Sequence, residues 1–359
     1  MIIVDKKTIL PTLKELALAT LKTDNFIGPT SFCFQWEHIL TTNYKISAQA
    51  ESFFPTEDPF CINAKLLIDV ISKCTTPKIG FRREENVLIV SAGKFSTKLT
   101  LQKADIRFSR SQFSKFYEID PGLFKKIQSC ASIAASVDNL SLSSVQFAPD
   151  YMEATNRYQI LSYKILQYTE RSVLIPGKSL QSLKSINPIS IGFGERAMHM
   201  VSENNVQFNI GLSEYASMET IEDVHKTVEL YSSDQCIVLS EQNIKEILYA
   251  LAKLKLVASQ VENQKVSSIL INIQPNRLIL KTSSKYGEAQ EVIRVEHNVV
   301  PMQITTAIEF LTFALENTPS PSLSIAENYY PQILIQNSEE DHKHLISCLY
   351  TKTLSNKKT

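Results

Sequence analysis

The sequence predicts an α+β chain made of three repeated domains, each an antiparallel sheet with two helices. Three observations lead there. Six amphipathic helix candidates fall into three pairs that are in phase. The stretches between them read as short strands with polar turns. At 359 residues the chain is also too long for one ordinary core.

The helices come in this order. The first spans Lys6 to Leu21, with Ile9, Leu10, Leu13, Leu16, Leu18 and Leu21 forming an apolar stripe. The second spans Ala64 to Lys73, with Asn63 as N-cap. The third runs from Pro121 to Ser136, with Asp120 as N-cap and Pro121 at the first helical position. The fourth is Lys178 to Ile186, after Pro176-Gly177. The fifth is Glu241 to Ala258, with Ser240 as N-cap. The sixth is Thr305 to Asn317, stopped by Thr318-Pro319. First and second members of the pairs each recur at a step of roughly 115 to 125 residues, the mark of a repeated unit. The repeat places the domains at 1–116, 117–234 and 235–359.

Between helices, Val87–Gly93 and Phe95–Gln102 read as a hairpin around Gly93-Lys94. Ile189–Leu212 supplies three strand-like stretches in the middle third. SSILINIQ, NRLILKTSS, EVIRVEH, SLSIAE and QILIQN supply those of the last third. Sheets with only two helices per unit place both helices of each unit on one face.

Composition narrows the function classes. The 43% apolar and 21% charged content is that of a soluble globular protein. Nine glycines are too few for Gly-rich phosphate loops or long flexible linkers. Six widely spaced cysteines with no CxxC predict reduced thiols in a cytoplasmic protein. The start MIIVDKK has no apolar signal region, and no apolar run is long enough to span a membrane. Neither a secretion signal nor a membrane partner is expected.

Legible catalytic chemistry is absent. Gly192-Phe193-Gly194-Glu195-Arg196-Ala197 fits a loose GxGxxA, but the following AMHMVSEN alternates like a strand, whereas a dinucleotide site needs a helix there. His342 and His344, near Glu339, Glu340 and Asp341, read as a solvated hairpin turn rather than a metal site. No HExxH, P-loop or nucleophile elbow occurs. The expectation is a chain with no cofactor or metal that is not an enzyme.

Net charge is zero, so a polyanion would be bound only if lysines gather on one surface. They gather on the helices: Lys14 and Lys22 on or beside the first, Lys65 and Lys73 on the second, Lys125 and Lys126 on the third. Lys178 and Lys184 follow on the fourth, Lys245 and Lys253 on the fifth. The sixth breaks the pattern, with Glu309, Glu316 and no lysine. Helices usually carry lysines on a solvated face. Helices in register that faced one lumen would instead give a basic surface blind to base sequence.

Several segments resemble the bacterial-type DNA polymerase III β sliding clamps, in divergent form. Asn86–Phe108 resembles that family's strand hairpin ending in Ala-Asp-Phe-Pro, which here is Ala104-Asp105-Ile106-Arg107. Glu153–Ile165 resembles its Ala-Thr-Asp-Gly-His-Arg-Leu stretch, and Val173–Leu183 its Val-Pro-Arg-Lys helix start. Lys285–His297 resembles its Gly-Glu-Ala-Glu-Glu strand. His344–Tyr350 stands where the family has a terminal Met-Pro-Met strand.

The resemblance implies a DNA clamp fold, and a head-to-tail homodimer closing a ring of six domains around double-stranded DNA. It implies a processivity factor at the nucleoid, partnered by a DNA polymerase and a clamp loader. Phe95 and Leu99 would meet Leu248 and Tyr249 of a second copy. A peptide-capturing pocket would use Leu142, Thr155, Tyr158, Ile160, Met218, Leu345, Ser347 and Leu349. The sequence departs from the family at this pocket. Asp-Gly-His-Arg is Asn156-Arg157-Tyr158-Gln159, and Met-Pro-Met is Ser347-Cys348-Leu349. A shifted peptide specificity and a lost pocket both fit these changes. Two other readings stay open: a clamp-fold scaffold that no longer encircles DNA, and an unrelated enzyme.

Overall fold

The computed structural model describes residues 1–21, 30–103, 113–136, 142–213, 224–229, 236–258, 267–326, 332–337 and 341–348. Its internal contacts divide the chain into two compact units. One holds Met1–Gln128 and Tyr168–Glu214, the other Ser129–Gln167 and Tyr215–Thr359.

All six expected helices form: α1 (Lys6–Leu16), α2 (Ala64–Lys73), α3 (Pro121–Ala135), α4 (Gly177–Ser182), α5 (Glu241–Ala258) and α6 (Ile308–Asn317). The expected caps are in place. Asn63 Oδ1 accepts from Leu66 N at 2.9 Å, Asp120 Oδ1 from Leu123 N at 2.8 Å, and Ser240 Oγ from Asn243 N at 3.1 Å.

Three helices are shorter than the sequence predicts. α1 gives way to a 3₁₀ turn at Ala17–Ala19, closed by Thr20, whose hydroxyl and backbone N–H both donate to Ala17 O. α4 stops at Ser182, whose hydroxyl donates to Ser179 O at 2.7 Å while Leu183 and Lys184 turn back with three-residue bonds. Lys184 therefore lies just past its helix. α6 begins at Ile308 because Thr305 and Thr306 pair across a strand with Leu270 and Ile269. Their branched side chains suit the pleat better than a helix.

In the first unit, four strands run in the order Ile2–Asp5, Lys78–Glu84, Val87–Ala92, Phe95–Thr100, all antiparallel. Gly93 makes the hairpin turn at φ 62°, a backbone region that costs a side-chain-bearing residue about 1–2 kcal/mol. A second sheet runs Ser31–Thr42, Ile46–Asn63, Gln207–Gly211, Ala197–Ser202, Pro188–Gly194, Phe113–Glu118. α1 and α2 bury Leu13, Leu16, Leu67 and Ile71, in a unit whose core also holds Phe32, Phe34, Phe60 and Phe81. Gly192–Ala197 is a strand, a turn and the start of the next strand, so the loose glycine motif opens no helix.

In the second unit, one sheet follows the order Ser144–Phe147, Tyr151–Thr155, Gln159–Lys164, His342–Ser347, Gln332–Asn337, Pro321–Ala326, Cys236–Val238. Another follows Gly287–Arg294, Arg277–Ser284, Ser268–Gln274, Met302–Ala307. α5 and α6 pack Ile247, Leu251, Leu254, Leu311 and Leu315 against Ile271, Leu280, Ile333 and Ile346 in one apolar cluster. A helical segment at 224–229, not foreseen from the sequence, sets Val228 against Leu334 and Leu345.

Candidate functional site

The second unit contains one turn on which the site depends. Strands Tyr151–Thr155 and Gln159–Lys164 are joined across Asn156-Arg157-Tyr158. Asn156 closes the turn, its Oδ1 accepting from Tyr158 N at 3.1 Å and Gln159 N at 3.0 Å. Thr155 Oγ1 donates to Gln159 O at 3.0 Å. These bonds hold Arg157 in the left-handed region at φ 76°. On the neighbouring strand, Leu345 pairs with Ile160, and Ser347 N donates to Tyr158 O at 2.8 Å.

Against this turn lies a cavity of about 250 Å³, lined by Leu142, Thr155, Arg157, Gln159, Ile160, Val224, Gln332, Leu345 and Ser347. It is mostly apolar and smaller than pockets for whole small ligands, roughly 300–1,000 Å³. That suits the side chains of a peptide. Five of the eight expected pocket residues line it: Leu142, Thr155, Ile160, Leu345 and Ser347. Tyr158 does not; its exposed ring stacks on Phe310 of α6, with centroids 6.1 Å apart. Met218 and Leu349 lie outside the described residues. Val224 and Gln332 are additions for which no motif in the sequence offered a signal.

Two buried polar groups support the lining. Gln159 is fixed by His344, whose Nε2 lies 2.9 Å from Gln159 Oε1. Burial, with His342 adding to it, pushes the His344 pKa down to about 3. The ring is therefore neutral at physiological pH, and its Nε2–H donates to Gln159. On the other side, Glu153 Oε1 meets His225 Nδ1 at 2.8 Å and accepts from Ser162 Oγ at 2.8 Å. Tyr151 stacks on the His225 ring at 3.8 Å. This arrangement ties the segment bearing Val224 to the strand Tyr151–Thr155.

His342 and His344 are not in a solvated turn, as their acidic neighbours suggested. Both are buried on the strand His342–Ser347, at 2% and 0% exposure. Apolar neighbours on both sides of that strand outweigh the polar sequence. Glu339 and Glu340 lie outside the described residues. Among the described residues no three His, Cys, Asp or Glu gather as metal ligands, and no helix is long and apolar enough to cross a membrane.

Of the lysines singled out, Lys14, Lys65, Lys73, Lys125, Lys178, Lys184, Lys245 and Lys253 are exposed, and Lys126 is half-buried. Lys22 lies outside the described residues. Lys253 is engaged: its Nζ is 2.7 Å from Glu291 Oε1 and 4.4 Å from the centre of the Tyr249 ring. Lys255 pairs with Glu309 at 3.3 Å, so the acidic start of α6 is partly balanced by α5.

The four residues expected to meet a second copy differ in exposure. Phe95 and Tyr249 are open to solvent, at 48% and 67%. Leu248 is half-buried against the core of its unit. Leu99 is 4% exposed, since alternation along Phe95–Thr100 turns it inward. It belongs to the core and has little surface to offer a partner.

No protein-family model matches the sequence, and the comparison with curated proteins gives no match. Solved structures do match. A DnaN sliding clamp (DNA polymerase III subunit beta) from Pseudomonas aeruginosa, bound to griselimycin, superposes with a TM-score of 0.82 at 14% identity, over 97% of this chain and 99% of that one. The DNA polymerase III beta subunit of Thermotoga maritima gives 0.80 at 15% identity, over 98% and 99%. The beta chain of Streptococcus pneumoniae gives 0.81 at 18% identity, over 97% and 99%. The correspondence is one of fold, and over nearly its whole length this chain has the fold of the bacterial DNA polymerase III β sliding clamps.

Proposed function

We propose that the chain is a DNA sliding clamp: a homodimeric ring around double-stranded DNA that tethers a DNA polymerase without reading sequence. Its action is topological, so it needs no catalytic group of its own, and a separate clamp loader opens the ring. It works in the cytoplasm, at the nucleoid. The observation that carries the proposal is the fold correspondence, which runs over 97–98% of this chain. The repeat supports reading it as three domains, 1–116, 117–234 and 235–359. Lysines on five of the six helices supply phosphate contacts in the lumen. Among the described residues, Phe95–Thr100 and Gly287–Arg294 are end strands of their sheets, and each bears an exposed apolar residue, Phe95 and Val292. Such edges suit ring closure by strand pairing. The cavity beside Arg157 receives the partner peptide.

The test is retention on DNA. The full chain is loaded on nicked circular DNA by its host's clamp loader, and the DNA is then linearised. Slow loss from circles and rapid loss after cutting support the ring, as does a solution mass of about twice that of the chain. A monomer, or loss indifferent to topology, overturns it. A dimer that captures replication proteins and ignores DNA at low salt would make it a scaffold. Lys125→Glu and Lys178→Glu should weaken retention while leaving dimerisation intact, each lost phosphate contact reducing the salt slope by about 0.9.

A further inference from the structure

The cavity in the second unit carries one charge. Of its lining residues only Arg157 is ionised, and none is acidic. Among the described residues the Arg157 guanidinium makes no hydrogen bond and no ion pair; its backbone N–H alone is engaged, with Thr155 Oγ1 at 3.3 Å. Arg83, by contrast, is held by Asp58 at 2.5 Å. A planar guanidinium at the edge of an apolar cavity presents a donor fork suited to a carboxylate.

The backbone beneath it adds a second observation. Arg157 sits at φ 76°. Glycine adopts this region freely and asparagine at small cost, whereas an arginine there is strained. Three bonds from Asn156 and Thr155 impose the conformation. The turn therefore fixes Arg157 at the edge of the cavity.

We infer that Arg157 is a specificity-determining residue that selects partner peptides bearing an aspartate or glutamate side chain beside the apolar residues that fill the cavity. The inference rests on the peptide-pocket reading above. The cavity wall of Ile160, Leu345, Val224 and Leu142 takes the apolar side chains. The guanidinium takes the carboxylate with two parallel N–H donors. Because the rim is exposed, the charge contributes discrimination more than raw affinity.

Random peptides of about twelve residues, displayed inside a linker so that no α-carboxylate is free, would be selected on the full-length protein, on Arg157→Gly and on Ser347→Tyr. Peptides from the unmodified protein should pair apolar residues with Asp or Glu. Those from Arg157→Gly should keep the apolar pattern and lose the acid. Exchanging the selected Asp for Asn should weaken binding to the unmodified protein by roughly twofold to fivefold and leave binding to Arg157→Gly unchanged. Equal acid content in both selections, or an equal loss on both proteins, overturns the role of Arg157 and leaves the pocket standing. Peptides that bind as well when Ser347→Tyr fills the cavity overturn the pocket reading, and this inference with it.

Discussion

His225 Nδ1 lies 2.8 Å from Glu153 Oε1, and that carboxylate is 1% exposed. One contact thus joins a buried acid to the helical segment that lends Val224 to the cavity. Burial raises the Glu153 pKa, the bonds from His225 and Ser162 lower it, and burial prevails. The unfolded chain gives up this proton near pH 4.3, while the folded chain keeps it to higher pH. Stability from this group is therefore full below that value and is lost as pH rises through the folded pKa. Thermal midpoints of Glu153→Gln should gain on the unmodified protein as pH rises from about 4 to about 7. Parallel curves would show that the carboxylate ionises in the fold without penalty.

His344 predicts the opposite slope. Its folded pKa of about 3 lies far below the roughly 6.5 of an unfolded histidine. The stability it protects is full above about pH 6.5 and drains as pH falls towards 3, by up to about 1.4 kcal/mol per pH unit. His344→Gln, which can still donate to Gln159, should flatten the acid limb of a denaturation series. An unchanged acid limb would mean that the ring is protonated in the fold.

The helices were largely legible in the sequence because their caps are local: Asn63, Asp120 and Ser240 each bond within three residues. Helix ends set by distant partners were not. Thr305 and Thr306 continue a helical pattern, and only their pairing with Leu270 and Ile269 makes them strand. The long pair Ser31–Thr42 and Ile46–Asn63 was missed for a similar reason. Its register shifts at Phe34, Trp36 and His38 break the alternation that would have announced it. In the pocket, positions on the turn and its partner strand could be placed by resemblance. Val224 and Gln332 arrive through tertiary packing and leave no motif. Leu99 shows the converse, an apolar residue on a recognised strand that its own core claims.

Two lysines of α5 should behave differently. Among the described residues Lys245 has no ion pair, whereas Lys253 is held by Glu291 and lies over Tyr249. If α5 faces DNA, Lys245→Glu should lower DNA affinity more than Lys253→Glu, since Lys253 must first leave its partners. Fluorescence anisotropy with duplex DNA at two salt concentrations would check the order. A larger effect at Lys253 would remove Lys245 from the lumen.

Arg157→Gly should raise stability by about 0.5–1 kcal/mol, the relief of left-handed strain exceeding the entropy glycine adds to the unfolded chain. Urea denaturation would measure it. A loss of stability would mean that the arginine side chain supports the fold.

Gln159 and His344, in hydrogen-bond contact, stand 185 residues apart in sequence. A growing polypeptide therefore carries one wall of the cavity long before Leu345 and Ser347 leave the ribosome to complete it. Pairings this distant form slowly and late. A chain that stops short of Leu345 and Ser347 lacks that wall, so the cavity exists only once residues 185 positions apart have met.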